Sequence, residues 1–268
     1  MRPTRRISPD WLDQRALAPV EAQRWQSGII GLPVNSVSMR LDELAAYLER
    51  LEATSSRNEL VRIVSELYGA CSVGEIEPIT YLIQGRLAPF FAPVEIGLGE
   101  RLLISAMAMA YGLPKDEVSR AYRQLGDLGV TAQRLAPQIG HQPPQVVDVH
   151  RRLSEIAGTS GAGSLQRKLD LFAGLLGELD PISAKHLVRI TTGKMRLGIG
   201  DPTVLDALSF AKKGDRSLRP VLEAAYNRTS DLGLIARTLW AGDERAVEVL
   251  TVTVGRPIRS QRDRKSVV

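Results

Sequence analysis

The chain has 268 residues, 44% hydrophobic and 24% charged, enough to bury a core in one large domain or two small ones. No apolar run is long enough to cross a bilayer, and one cysteine with three scattered histidines (His141, His150, His186) excludes a disulfide scaffold and offers no metal-ligand spacing. The net charge of +5 sits at the ends, with +2 on residues 1–39 and +4 on residues 255–268, so the body of 40–254 carries −1 and bulk charge alone does not establish a nucleic-acid partner.

In chain order, residues 1–38 show little periodicity and read as an irregular N-terminal extension ahead of a start at Met39. Arginines near the N-terminus lack the apolar stretch of a secretory signal, so the expected location is the cytoplasm. From Met39 onward the apolar spacing is helical. Leu41, Leu44, Ala45, Leu48 and Leu51 form one stripe, and Leu60, Ile63, Val64 and Leu67 the next. Ser56 with Glu59, and Ser72 with Glu75, read as capping boxes. Further helices are expected over about 99–111 and from Pro114 to about Leu125. The segment 136–145, with three prolines, is the best internal boundary. Beyond it come helices over about 147–156, then from Leu165 to Leu179, then from Asp180-Pro181 and from Asp201-Pro202, with two more reaching Trp240. The expected fold is all-α, a compact multi-helix body over 39–254, followed by a basic tail over 255–268.

No catalytic template is satisfied. The loop GTSGAGS at 158–164 lacks the Lys-Ser/Thr of a phosphate loop, and there is no nucleophile elbow, HExxH or dinucleotide fingerprint. Two stretches suit anion binding instead. The small residues before Ser164 leave first-turn amides facing outward, with Lys168 one turn further on. In TTGKMRLGIG at 191–200, Lys194 and Arg196 alternate with Met195 and Leu197, so extended geometry projects both charges to one side. Glycines there let a large partner approach the backbone. Residues 164–219 hold ten Lys/Arg against six acids around these stretches. Two cationic, amide-rich loops at helix termini suit a repeating anionic backbone.

The run SGAGSLQRKLDLFAGLLGEL through DPISAKHLVRITTGKMRLGIGDPTVLDAL, with LDELAAYLERLEATSSRNELVRIVSELY and PITYLIQGRLAP upstream, resembles the N-terminal DNA-binding domain of ATP-dependent DNA ligases of the archaeal and eukaryotic replicative type. The resemblance spans about Met39 to Pro257. It implies an all-helical body with a pseudo-two-fold arrangement of two halves that grips nicked double-stranded DNA through the minor groove. It further implies that Lys194, Arg196, Gly198 and Gly200 contact DNA and that Gly163, Ser164 and Lys168 help hold a phosphate, with Arg189 a weaker candidate beside a surface salt-bridge role. The Lys-x-Asp-Gly adenylation motif of that family is missing, since AKKGDR at 211–216 has the letters in the wrong order. No catalytic residue is therefore expected here. ATP and Mg²⁺ would belong to a separate catalytic portion, and the chain reads as an isolated or truncated domain that does not seal nicks alone. The rival reading is a helical protein-interaction scaffold, although no repeat of 20 to 50 residues supports a solenoid.

Overall fold

The apolar stripes become the buried faces of helices. In the computed structural model, which describes residues 38–252 and residue 257, there are thirteen helices and no strand among the described residues. The body is all-α. The expectations for the N-terminal extension and the basic tail lie outside the described residues, apart from Ser38 and Pro257. No described helix is long and apolar enough to cross a membrane.

Six helices form a first half: α1 (Leu41–Glu52), α2 (Arg57–Ala70), α3 (Val73–Leu82), α4 (Glu100–Tyr111), α5 (Lys115–Leu125) and α6 (Leu128–Leu135). Six more follow: α7 (Val146–Gly158), α8 (Ser164–Gly177), α9 (Pro181–Thr192), α10 (Asp201–Lys213), α11 (Arg219–Thr229) and α12 (Leu232–Ala241). A short α13 (Glu244–Glu248) comes last. The packing of the halves is reciprocal. Helix α2 packs on α10, as α8 packs on α4; α3 packs on α12, as α9 packs on α6; α1 packs on α9, as α7 packs on α3. Each pair becomes the other when every helix is exchanged for its counterpart six places along, so the two halves are related by a pseudo-two-fold axis. At that axis Arg40 and Gln145 form an antiparallel bridge. Leu41 N donates to Pro144 O at 3.0 Å, and Val146 N donates to Met39 O at 2.9 Å. The proline-rich break at 136–145 thus brings the chain back beside the first helix.

The same corner locks both halves. Asp127-Leu128-Gly129 opens α6 and Asp231-Leu232-Gly233 opens α12. Each aspartate caps its helix, Asp127 accepting from Val130 N at 2.9 Å and Asp231 from Leu234 N at 3.0 Å. Each also accepts from a side chain of the opposite half: Arg189 of α9 on Asp127 at 3.2 Å, Tyr81 of α3 on Asp231 at 2.6 Å. The glycines are there for space. A Cβ on Gly129 would lie 2.8 Å from Arg189 Cγ and from Lys185 O, and one on Gly233 would lie 2.3 Å from Tyr81 Cζ.

Local readings differ from the outcome in a few places. The Ser72–Glu75 box forms, with Ser72 N donating to Glu75 Oε2 at 2.9 Å. Ser56 makes no side-chain cap. The Ser56 amide instead donates to Thr54 Oγ1 at 3.2 Å, and Glu59 takes the guanidinium of Arg62, one turn on. Leu165, assigned to the apolar stripe of α8, is 56% exposed in its first turn. Helices α6 and α13 are too short to show a clear period.

Replacing Gly233 by Ala is expected to lower the urea midpoint by an amount equivalent to about 1–3 kcal/mol, the cost of overpacking. Gly174→Ala, on the open side of α8 with nothing within 4 Å of the new methyl, should leave it unchanged or raise it by up to about 1 kcal/mol.

Candidate functional site

The loop between α9 and α10 is built by glycine turns. Gly193 (φ 66°) ends α9 in the left-handed region, and Lys194 N closes the helix on Arg189 O at 3.0 Å. Met195 and Leu197 are buried, whereas Lys194 and Arg196 are exposed. The alternation expected from the sequence is therefore present in the burial pattern. The backbone is not extended throughout, because Arg196 itself sits at φ 57°. A few residues must reverse the chain between two helices, and the turn falls partly on this arginine. Its Nε lies 3.4 Å from Asp127 Oδ2. Gly198 (φ 65°) leads over Leu60 of α2, and Gly200 is the extended N-cap of α10.

Across the pseudo-two-fold axis lies a counterpart not singled out from the sequence as a site. Gly85 (φ 68°) follows α3 as Gly193 follows α9, and the exposed Arg86 and buried Leu87 take the places of Lys194 and Met195. Gly97, Leu98, Gly99 and Glu100 then enter α4 as Gly198, Ile199, Gly200 and Asp201 enter α10. Gly97 (φ 72°) repeats the turn of Gly198. The two loops touch, since a Cβ on Gly85 would lie 3.1 Å from Gly193 Cα. Arg86 and Lys194 both line a cleft of about 440 Å³ between the loops. The signal was present as the pairs GRL and GKM, GLGE and GIGD, DLGV and DLGL. It lies at a separation of roughly a hundred residues, beyond the repeat lengths that mark solenoids.

The start of α8 forms a shallow hollow of about 390 Å³ whose lining includes Gly158, Ser160, Gly163, Ser164 and Arg167, with Glu155 at its edge. Gly163 (φ 74°) is the N-cap, so Ser164 is the first helical residue. Its first-turn amides leave the helix end without intrahelical partners. Lys168 points elsewhere. Its ammonium donates to Ile96 O at 3.0 Å and Ala157 O at 3.4 Å, tying the Gly97 turn to the end of α7. The cation at this hollow is Arg167, which sequence reasoning passed over.

Arg189 is 3% exposed, inside the body. Its guanidinium meets Glu52 at 2.8 Å and Asp127 at 3.2 Å. Burial opposes its charge, but these two carboxylates outweigh burial and hold its pKa above the ordinary value. Asp127 is lowered despite burial by Val130 N and by Arg189 and Arg196. The surface salt bridge considered for Arg189 is thus a buried one. Beside it, Lys185 Nζ lies 2.6 Å from Glu49 and 2.6 Å from Glu52. Carboxylate and imidazole atoms of Glu49, Glu52 and His186 come within 4.8 Å of one another, and the ammonium of Lys185 already compensates both carboxylates. His186 Nε2 donates to Glu49 Oε1 at 2.6 Å. Burial pushes the imidazole down to about 4 in spite of Glu49, so the ring is neutral at pH 7.

Residues 40–209 match the family model described as "DNA ligase N terminus". The chain is 43% identical over 221 residues to a probable DNA ligase of Dictyoglomus thermophilum, covering 82% of this chain and 38% of that protein. It is 39% identical over 219 residues to a probable DNA ligase of Aquifex aeolicus, covering 81% and 38%. A DNA ligase of Acidianus ambivalens is 37% identical over 235 residues, covering 82% and 39%. The chain spans under two fifths of the length of these relatives.

Arg189→Met is expected to cost about 3 kcal/mol in a urea melt, because it breaks a buried ion pair and leaves Asp127 with only the Val130 amide and the exposed Arg196, while Glu52 keeps Lys185. His186 gives a pH signature. The unfolded ring takes up a proton near 6.5 and the folded ring near 4, so stability falls as pH drops from 6.5 to 4, by up to about 3 kcal/mol. Calorimetry of His186→Gln over that window should show a shallower fall in Tm than the parent.

Proposed function

Because the chain belongs to the DNA ligase N-terminal family, we propose that it is the sequence-independent duplex DNA-binding module of an ATP-dependent DNA ligase, holding nicked DNA in replication or repair. Nucleotidyl transfer, with ATP and Mg²⁺, is assigned to a catalytic portion that works with it. The observation that carries this reading is the cleft between the loops that follow α3 and α9, with Arg86 from one half and Lys194 from the other on its walls, beside Glu95 and Glu100. A DNA duplex has local two-fold axes that relate its antiparallel strands. A body with the same symmetry can set each half against one strand, which a single strand cannot exploit. Arg196 and the α8 hollow with Gly163, Ser164 and Arg167 extend the cationic, amide-rich surface in the second half. Glycines at 198 and 200 admit a backbone close to the chain. Lys168 and Arg189 support the site from beneath, one fixing the Gly97 turn and the other Asp127.

Backbone contacts of this kind position a protein without reading bases. Affinity is expected in the non-specific range, with Kd roughly 10⁻⁴ to 10⁻⁶ M at physiological salt. Fluorescence anisotropy with nicked duplex, intact duplex and single strand at two salt concentrations tests the reading. Salt-sensitive binding to both duplexes, with the single strand weaker, is the expected result. Absence of binding at low salt sinks it and favours a protein-interaction scaffold.

By symmetry, Arg86→Ala and Lys194→Ala should weaken duplex binding to similar extents. Each should reduce the slope of log K against log salt by about 0.9 for every phosphate that is no longer neutralised. Neither should move the Tm, since both side chains are exposed; equal affinity of Arg86→Ala and parent would show that only the second half meets DNA.

A further inference from the structure

The two halves match closely around the axis except at one place on this face. Between the paired glycines the second half has four residues, 194–197, and the first half has eleven, 86–96. The extra length carries Ala88-Pro89-Phe90-Phe91-Ala92-Pro93. It is a shaped loop. Ala92 N donates to Pro89 O at 2.9 Å and Val94 N to Ala92 O at 2.8 Å, closing two successive turns, with Pro89 and Pro93 fixing φ on either side. Pro89 is buried, while Phe90 is 45% exposed. The Phe90 ring meets Phe91 edge to face at 5.7 Å, and the Arg86 guanidinium lies over it at 5.9 Å. Arg86 therefore borders the cleft on one side and an aromatic ring on the other, which puts the ring next to the proposed DNA surface.

We propose that Phe90 gives the pseudo-symmetric body a direction on the duplex, by pressing an aromatic ring against the sugar and base surface on one side of a strand break only. The inference rests on the duplex-binding reading above. The phosphates on the two sides of a nick are alike, so phosphate contacts alone, including those that only the second half offers through Arg196 and the α8 hollow, cannot distinguish the two sides. An exposed ring beside a phosphate-binding cation can meet what lies between the phosphates, where apolar side chains gain from contact with deoxyribose or from wedging at a base step. A step interrupted by a nick lacks one backbone connection, so it opens at lower cost than an intact step. The second half has no aromatic residue at the equivalent place, since 194–197 is Lys-Met-Arg-Leu.

Tethered cleavage tests this in the full chain. Ser160→Cys places a single reactive thiol in the exposed loop before α8, because Cys71 is buried and its thiol is pushed up to about 12. An iron chelate on that cysteine cuts a nicked duplex where the second half lies. The expected pattern is cleavage on one side of the nick with Phe90 present, and cleavage on both sides with near-equal intensity for Phe90→Ala. The Phe90→Ala variant should lose at most about tenfold in affinity and keep its Tm, and Phe90→Trp should restore one-sided cleavage. One-sided cleavage that survives Phe90→Ala, or two-sided cleavage with Phe90 intact, overturns the directional role while leaving duplex binding standing. Absence of binding to any duplex in the anisotropy assay overturns the duplex reading and this inference with it.

Discussion

The aspartate at each Asp-Leu-Gly corner, capping its own helix while holding a side chain of the opposite half, is the contact on which the body depends. It couples a local feature to the long-range arrangement. The carboxylate needs two kinds of donor, and only one is available within its own half. Asp127 takes Arg189 and Asp231 takes Tyr81, so each half completes a cap in the other. The neighbouring glycine allows the two helices to close to contact distance. Because the pairings α3 with α12 and α6 with α9 both depend on this corner, so does the placement of the loops that follow α3 and α9. Those loops carry Arg86 and Lys194.

Exposed cations are thus displayed by buried neutral or compensated groups. Leu87, Met195 and Leu197 anchor the loops in the core, which holds the intervening charges outward at little cost in freedom. Asp127 sits beneath Arg196 and is itself compensated by Arg189. The excess of positive charge over 164–219 is consequently divided by role. Lys185 and Arg189 balance acids inside the body. Arg219 is bound to the buried Asp206 at 2.6 Å, with Arg57 and Arg216 nearby at 3.3 and 3.7 Å. Lys194, Arg196 and Arg167 remain at the loops. A count of cations in a segment therefore overstates how many are available to a ligand.

Much of the fold was legible because long helices carry their own period. Leu41, Leu44, Leu48 and Leu51 recur at helical spacing and are all fully buried. Short α6 and α13 have too few turns to show a period. At the site, the exposure of Lys194 and Arg196 followed from alternation with apolar neighbours. The environments of Lys168 and Arg189 did not, because they are decided by groups far away in sequence: Ile96 O for one, Glu52 and Asp127 for the other. Arg86 escaped notice for a different reason. Its significance is relational, visible only once GRL is set beside GKM and the intervening hundred residues are folded back through the axis.

The interleaving of the halves has a consequence for how the chain is made. Helix α2 rests on α10, α3 on α12 and α4 on α8, so the partners of the early helices lie from about 60 to about 160 residues later. A ribosome adding about 5–20 residues per second leaves the first six helices waiting for several seconds with their apolar stripes uncovered. Neither half has a core it can close alone. The pseudo-symmetry that shapes the finished surface therefore makes the nascent first half a client for whatever shields hydrophobic chain near the exit tunnel, until α12 has emerged and both corners can close together.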